Sequence, residues 1–320
     1  MTARESASDT LADLILRRSC SPNSSIIEQS LNSAGGSKQS IDENQDQTNV
    51  ELMFAELQAS LLASEGAQEF FRKVTRFGLP SSDNLLFREN HVLSFDNRLR
   101  HPNWVLEHLS DSDVKSMNAV RHRQHMFSPN MTLHEYFRIT NDDYKYSGYS
   151  RSHLSPVCNN RACLITIDQS FCLSNVAPQV LNLNEGYCPW SRLEKYVLFL
   201  ATQSMNSYLI TGTLYLANKS HPLARRGGER QVVSYKVISS KRTHFYKVVL
   251  TESYGGVFTI EAFLVPNSNK VSEGEKIERF RISVDRELPR LEKAAGLRLF
   301  DLLDRNIVAK PNKLRFEYPL

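Results

Sequence analysis

The chain has 320 residues, 41% of them hydrophobic and 23% charged, with a formal net charge of +4 and a pI near 8.7. That length allows one large domain or two small ones, with a sizeable core. A charge this small permits a nucleic-acid partner without demanding one. No run of about 18 apolar residues occurs, so the sequence predicts no transmembrane helix. The cysteines Cys20, Cys158, Cys163, Cys172 and Cys188 form no CxxC pair, which excludes the usual zinc spacing and suits reduced, partly buried thiols.

The N-terminus lacks the charged start and apolar stretch of a secretory signal. Arg4, Arg17 and Arg18 flank Leu11, Leu14, Ile15 and Leu16 in the manner of a weak mitochondrial presequence. Glu5, Asp9 and Asp13 count against one, because presequences avoid acids. Residues 1–49 form an N-terminal segment, rich in Ser, Asn, Gln and Gly from 19 onward. It cannot bury enough apolar area to offset its ordering entropy and reads as disordered. Residues 50–76 carry Leu52, Leu57, Leu61, Leu62, Phe70 and Phe71 at helical spacing, predicting a helix that packs on its own domain or on a partner.

A mixed domain spans 77–305. Strands are predicted at 91–95 and 103–108, joined by a turn near Asp96, Asn97 and Pro102. More follow at 208–216, 231–239, 244–251 and 257–266, with a turn at Gly255 and Gly256. Residues 190–205 and 288–295 read as helices, and 306–320 as a basic, Pro-containing tail. The order is that of an α+β protein: a central, mostly antiparallel sheet with flanking helices.

Four polar stretches stand out: Tyr149 to Pro156, Leu173 to Gln179, Leu183-Asn184, and Trp190 to Glu194 on a helical segment. Together they offer a histidine base, an arginine, a neutral oxygen ligand and a carboxylate. Phosphodiester hydrolysis needs such a set. A water must lose a proton, which a histidine near its natural pKa accepts. Charge must be stabilised on phosphoryl and leaving oxygens, which a hard metal ion does. Mg²⁺ keeps several waters and takes only one or two protein oxygens, so a single Asn carbonyl suffices. Taken singly, each residue has an ordinary role: Arg151 in a surface ion pair, Asn175 and Asn184 in turns or caps, Glu194 beside Lys195 or Arg192.

The ordered set resembles the DNA/RNA non-specific endonucleases with a ββα-metal site, in their endonuclease G-like branch. The resemblance runs from about Phe77 to Leu303. It takes in Trp104-Val105-Leu106-Glu107, Ser147-Gly148-Tyr149, Leu173 to Gln179 and Leu193-Glu194-Lys195-Tyr196. It continues through Thr211-Gly212-Thr213-Leu214, Thr243 to Lys247 and Val265-Pro266-Asn267. The resemblance implies a ββα-metal nuclease site with His153 as general base and Arg151 facing phosphate. Asn184 would bind the metal, Glu194 would order its waters, and Asn175 would help shape the pocket. Ser150, Ser152 and Arg192 fall beside these positions and are expected near the substrate. It further implies Mg²⁺, with Mn²⁺ able to substitute, cleavage of DNA and/or RNA with little sequence preference, a homodimer, and mitochondrial or nuclear placement.

The chain departs from the family pattern in places. Ser150 stands where one branch has Asp, Ser152 where the family has Gly, and Leu198 where it has an arginine. Two extra residues, apparently Cys188-Pro189, separate Asn184 from Glu194. Proline fits the first helical turn, so the helix is expected to begin near Pro189 with the extra residues looped out before it. These departures keep a second reading open: a catalytically weakened pseudo-nuclease that binds nucleic acid or a heterodimer partner. Basic clusters at Arg121, His122, Arg123 and His125, and at Arg225, Arg226, Arg230, Lys241 and Arg242, are either a phosphate-tracking groove or solvated loop charge.

Overall fold

A strand that is apolar on both faces needs cover on both sides. Asn206–Leu214 is such a strand, buried at every position after its first. The computed structural model, which describes residues 65–116, 126–183, 188–216 and 243–310, supplies that cover with helices above and below one sheet.

In chain order the elements are α1 (Glu65–Val74), β1 (Leu85–Phe87), β2 (His91–Asp96), β3 (His101–Ser110) and α2 (Asp111–Ser116). Then come α3 (Asn141–Tyr144), β4 (Tyr149–His153), α4 (Leu164–Ser170), β5 (Val176–Val180) and α5 (Pro189–Thr202). The remainder are β6 (Asn206–Leu214), β7 (His244–Glu252), β8 (Phe258–Pro266), β9 (Arg281–Ile282), α6 (Leu288–Ala295) and β10 (Val308–Ala309). The large sheet has the order β1-β2-β3-β6-β7-β8-β10, with β9 also paired to β8. Its pairings are antiparallel except that β10 runs parallel to β8. β4 and β5 form a separate antiparallel ribbon.

Directly opposed residues project to the same face of a sheet. The register therefore sorts side chains into two layers. Val105, Leu109, Leu209, Phe245, Val249 and Phe263 pack against Trp190, Leu193 and Val197 of α5 and Ala177 of β5. Leu106, Ile210, Tyr246 and Val248 face the other way, toward Val74 of α1 and Leu288 and Leu291 of α6. The β4–β5 ribbon and α5 thus lie on one side of the sheet, and together make a ββα unit.

The predicted strands at 91–95, 103–108, 208–216, 244–251 and 257–266 correspond to β2, β3, β6, β7 and β8 within a few residues. The helix at 288–295 is observed as α6, and α5 begins at Pro189 as expected. Cys188 caps α5, its Sγ accepting the Ser191 N–H at 3.4 Å. Only the end of the 50–76 helix is described, as α1, which buries Val74 against its own domain. The strand at 231–239, the N-terminal segment, both basic clusters and Asn184 lie outside the described residues. Among the described residues no helix is long and apolar enough to cross a membrane.

Gly212 marks the tightest point of the sheet. A Cβ there would overlap the Tyr246 hydroxyl and lie 2.7 Å from the Asn103 carbonyl oxygen. Neither backbone nor a fully buried tyrosine can give way easily. Gly212→Ala is therefore expected to destabilise the protein by about 1–3 kcal/mol, the usual cost of overpacking. Urea unfolding measures it, and an unchanged midpoint would show that the strand can shift.

Candidate active site

β4 ends at His153. Strand alternation places Arg151 and His153 on one face of the ribbon and Ser150 and Ser152 on the other. Phe127 covers the first face. Its ring lies 4.9 Å from the His153 ring at 32°, and the Arg151 guanidinium carbon sits 4.6 Å from the centroid of the same ring. Phe171 meets His153 edge-on, at 5.0 Å and 87°. Arg151 also donates to Asn141 Oδ1 at 2.5 Å. The imidazole is held between two rings with its Nε2 buried, so little rotamer freedom is left to lose when a reactant arrives.

The residues after His153 are held as firmly. Asn175 is fully buried, and its Oδ1 accepts the Ser155 N–H at 3.0 Å. Its amide nitrogen donates to the Ser155 and Ser170 carbonyls, each at 2.9 Å. Asn175 thus clamps the exit of β4 and has no surface left for a substrate. Ser155 Oγ and Asn159 Nδ2 both donate to Glu107 Oε1, at 2.8 and 3.0 Å. Asn160 Nδ2 donates to Ser155 Oγ at 2.7 Å.

The expectation that Ser152 contacts substrate is corrected. Its side chain is 1% exposed and faces the core opposite Ala177. Its backbone is ordinary strand, because the positive-φ residues other than glycine among those described are Asn84, Arg100, Tyr146 and Phe300. A Cβ at 152 therefore creates no strain. Ser150, on the same face, is partly exposed, with its Oγ 3.5 Å from the Gln179 carbonyl oxygen. Arg192 donates to the backbone carbonyls of Glu273 and Glu275, the latter at 2.5 Å, and so ties the first turns of α5 to that loop. Leu198 packs against the apolar core one turn beyond Glu194.

Glu194 belongs to a layer of charge between α5 and the sheet. Register puts Glu107, Thr211 and Lys247 on the sheet face that α5 covers. Lys247 is fully buried, donates to Thr211 Oγ1 at 2.6 Å, and lies 5.4 Å from the Trp190 ring centroid. Glu107 is 1% exposed, and its Oε2 makes no hydrogen bond among the described residues. Burial pushes the Glu107 carboxyl up, and the Lys247 ammonium pulls it back. Burial pushes the Glu194 carboxyl up to about 7, with Lys247 opposing, Glu107 adding to the rise and Trp190 opposing. The Cys158 thiol is pushed up to about 12 by burial and then by Glu194 and Glu107. Cys158 follows Pro156 by two residues, so the turn after His153 and the carboxylate of α5 share one electrostatic environment.

Phe127, Asn141, Glu107 and Lys247 were not among the residues singled out from sequence as site residues. The last two carried a signal: each is a charge inside a strand otherwise built of core residues, at Trp104-Val105-Leu106-Glu107 and Tyr246-Lys247-Val248. Among the described residues no group of three or more His, Cys, Asp or Glu could hold a metal ion. Asn184 falls in the undescribed stretch just before α5.

The sequence profile of the DNA/RNA non-specific endonucleases matches residues 71–306. "Endonuclease G, mitochondrial" of Caenorhabditis elegans is 33% identical over 260 residues, covering 79% of this chain and 80% of that protein. The Homo sapiens protein of the same name is 34% identical over 247 residues, 76% of this chain and 77% of its own length. "Nuclease EXOG, mitochondrial" of Homo sapiens is 35% identical over 224 residues, 68% of this chain and 56% of that protein. A chain from a crystal structure of the EndoG/EndoGI complex superposes with a TM-score of 0.66 at 32% identity, covering 75% of this chain and 95% of that one.

The raised Glu194 pKa has a stability consequence with a definite sign. A carboxyl that holds its proton more tightly when folded contributes stability below its ordinary value near 4.5, and that contribution is lost as pH rises toward 7. Glu194→Gln is expected to melt above the wild type at pH about 8 without metal, with the gap closing near pH 4.5. Thermal melts across that window decide it; a gap that does not vary with pH would mean Glu194 is not held in a charge-excluding setting.

Proposed function

Because the chain belongs to the DNA/RNA non-specific endonuclease family and is a nuclease, a phosphodiester hydrolase, we propose that it cuts DNA and RNA with His153 as general base. The observation that carries this reading is the wedging of His153 between Phe127 and Phe171 beside Arg151, on one face of β4. His153 takes the proton of the attacking water as its oxygen closes on phosphorus. Arg151 keeps guanidinium donors beyond the one spent on Asn141 and turns them to the phosphoryl oxygens. Asn175, through Ser155, keeps the base at the end of its strand.

The donor chemistry fits a hard divalent ion. The amide oxygen of Asn184 would hold it and the partly buried Glu194 carboxylate would hold its waters, a set that suits an ion retaining most of its hydration. Such an ion, Mg²⁺ with Mn²⁺ able to substitute, supplies charge stabilisation for the phosphoryl and leaving oxygens when bound. Lys247, on the sheet face that α5 covers, keeps Glu194 closer to its charged form than burial alone would.

The same reading extends to partners and place. The substrate is a nucleic-acid backbone read with little regard to sequence. We also assign the chain a homodimeric state and mitochondrial residence, supported by relatives named as mitochondrial enzymes, with the nucleus as a second location. The alternative, a binding scaffold with weakened catalysis, is favoured by one feature: Leu198 lies in apolar packing where the resemblance would place a phosphate-binding arginine.

Plasmid and RNA cleavage with Mg²⁺ tests the main reading. Cleavage is expected to be abolished by EDTA and reduced about 10²-fold or more by His153→Ala, the usual weight of a positioned base. Intact substrates with folded wild-type protein would favour the scaffold.

A further inference from the structure

Tyr146 is the most exposed large apolar side chain among the described residues, at 95%. Its backbone is also strained, with φ at 58°. A bulky residue rarely adopts that left-handed angle, and glycine would adopt it freely. The strain is held in place by its neighbours. Tyr144 is buried in a small cluster with Ile139, Leu173 and Val176. The Ser147 N–H and Oγ both donate to the Tyr144 carbonyl, at 3.2 and 2.8 Å, and the Tyr149 N–H donates to Ser147 Oγ at 3.1 Å. The turn is thus built to project residue 146 outward, and the fold gains almost no burial from the ring it projects. Strain kept at a position that packing does not reward is a mark of function.

Two further observations say what the ring would meet. The Lys145 ammonium lies 5.6 Å from its centroid, so a cation and a π face are offered together. The turn is also mechanically joined to the active site. Arg151 donates to Asn141, the first residue of α3, and α3 runs directly into Lys145 and Tyr146. Tyr146 follows the last residue of α3 by two positions, so its ring projects from the same short segment that begins at Asn141. The same segment displays Met126, Met131 and Tyr136, each at least half exposed.

We propose that Lys145 and Tyr146 form a stacking subsite for an unpaired base next to the phosphate held by Arg151, which selects single-stranded or locally opened nucleic acid. An aromatic face with a cation beside it is the usual means of holding single strands without reading sequence. Bases stacked inside a duplex hide the π faces that Tyr146 would need, so a duplex would be held through its phosphates alone. This inference rests on the nucleic-acid role proposed for the same site and deepens it by naming the substrate class.

The test is binding rather than cleavage. The full chain in EDTA is titrated against a 2-aminopurine-labelled single strand and against the same strand in a duplex, for wild type, Tyr146→Gly and Tyr146→Phe. Glycine relieves the positive φ, so that variant is expected to fold. Tyr146→Gly should lose about tenfold in single-strand affinity, the weight of one lost stack, while its duplex affinity stays within about twofold. Tyr146→Phe should restore single-strand binding and the fluorescence quenching of a stacked base. Equal losses on both substrates, or none on the single strand, would overturn the proposal. Because no turnover is needed, a protein that binds this way without cutting would sink the nuclease reading and leave this one; cutting with no such selectivity would do the reverse.

Discussion

The site depends on an ammonium group with no access to water. Lys247 lies fully buried between the sheet and α5, in a layer that also holds Glu107 and Glu194. Taking ions from water costs several kcal/mol each even after relaxation, and only neighbouring opposite charge and good hydrogen bonds offset it. Lys247 donates to the Thr211 hydroxyl and acts through space on two carboxylates, and Glu107 accepts from Ser155 and Asn159. Apolar residues would fill this layer at less risk. What the charges add is linkage: Glu107 holds the turn after His153, and Lys247 acts electrostatically on both Glu107 and the carboxylate of α5. Two elements distant in sequence are brought into one electrostatic unit.

A second constraint is aromatic. Phe127 covers Arg151 and His153 together, and Phe171 closes on the imidazole from the side. Packing of this kind fixes the orientation of both side chains. Asn175 completes it by tying the backbone at Ser155, so His153 is set by three contacts from outside its own strand: two rings and one amide. The departures in this chain leave these contacts untouched. Ser152 is buried on the far face of the ribbon, and Cys188 and Pro189 form the cap and first residue of α5.

Much of this was legible in the sequence where local chemistry and tertiary demand agree. β6, β7 and β8 are runs of β-branched and aromatic residues buried on both faces, and α6 has proline in its first turn and glycine just past its end. Pro189 located the start of α5 for the same reason. β4 and β5 were harder. Tyr-Ser-Arg-Ser-His and Val-Ala-Pro-Gln-Val have weak strand character, and they hold their shape by pairing with each other and docking on the core. Phe127 and Asn141 could not be found locally, because their value lies in contact with a strand some ten to twenty-five residues away. Glu107 and Lys247 announced themselves only as charges in the wrong place for a core strand.

The most direct test of this layer is a double-mutant cycle on Glu107→Gln and Lys247→Met, read by unfolding free energy and by the single-turnover cleavage rate of the metal-loaded protein. Lys247→Met should destabilise by about 1–3 kcal/mol and slow cleavage, because Glu107 and Glu194 then lose the opposing charge that offsets their burial. Glu107→Gln should cost less, because burial already disfavours its charged form. The double variant should recover more than about 1 kcal/mol relative to the sum of the two. Lys247→Arg, which keeps the charge, should retain more of the rate than Lys247→Met. Strictly additive losses, or a Lys247→Met protein that cuts at the wild-type rate, would contradict the view that this buried charge layer holds the site together.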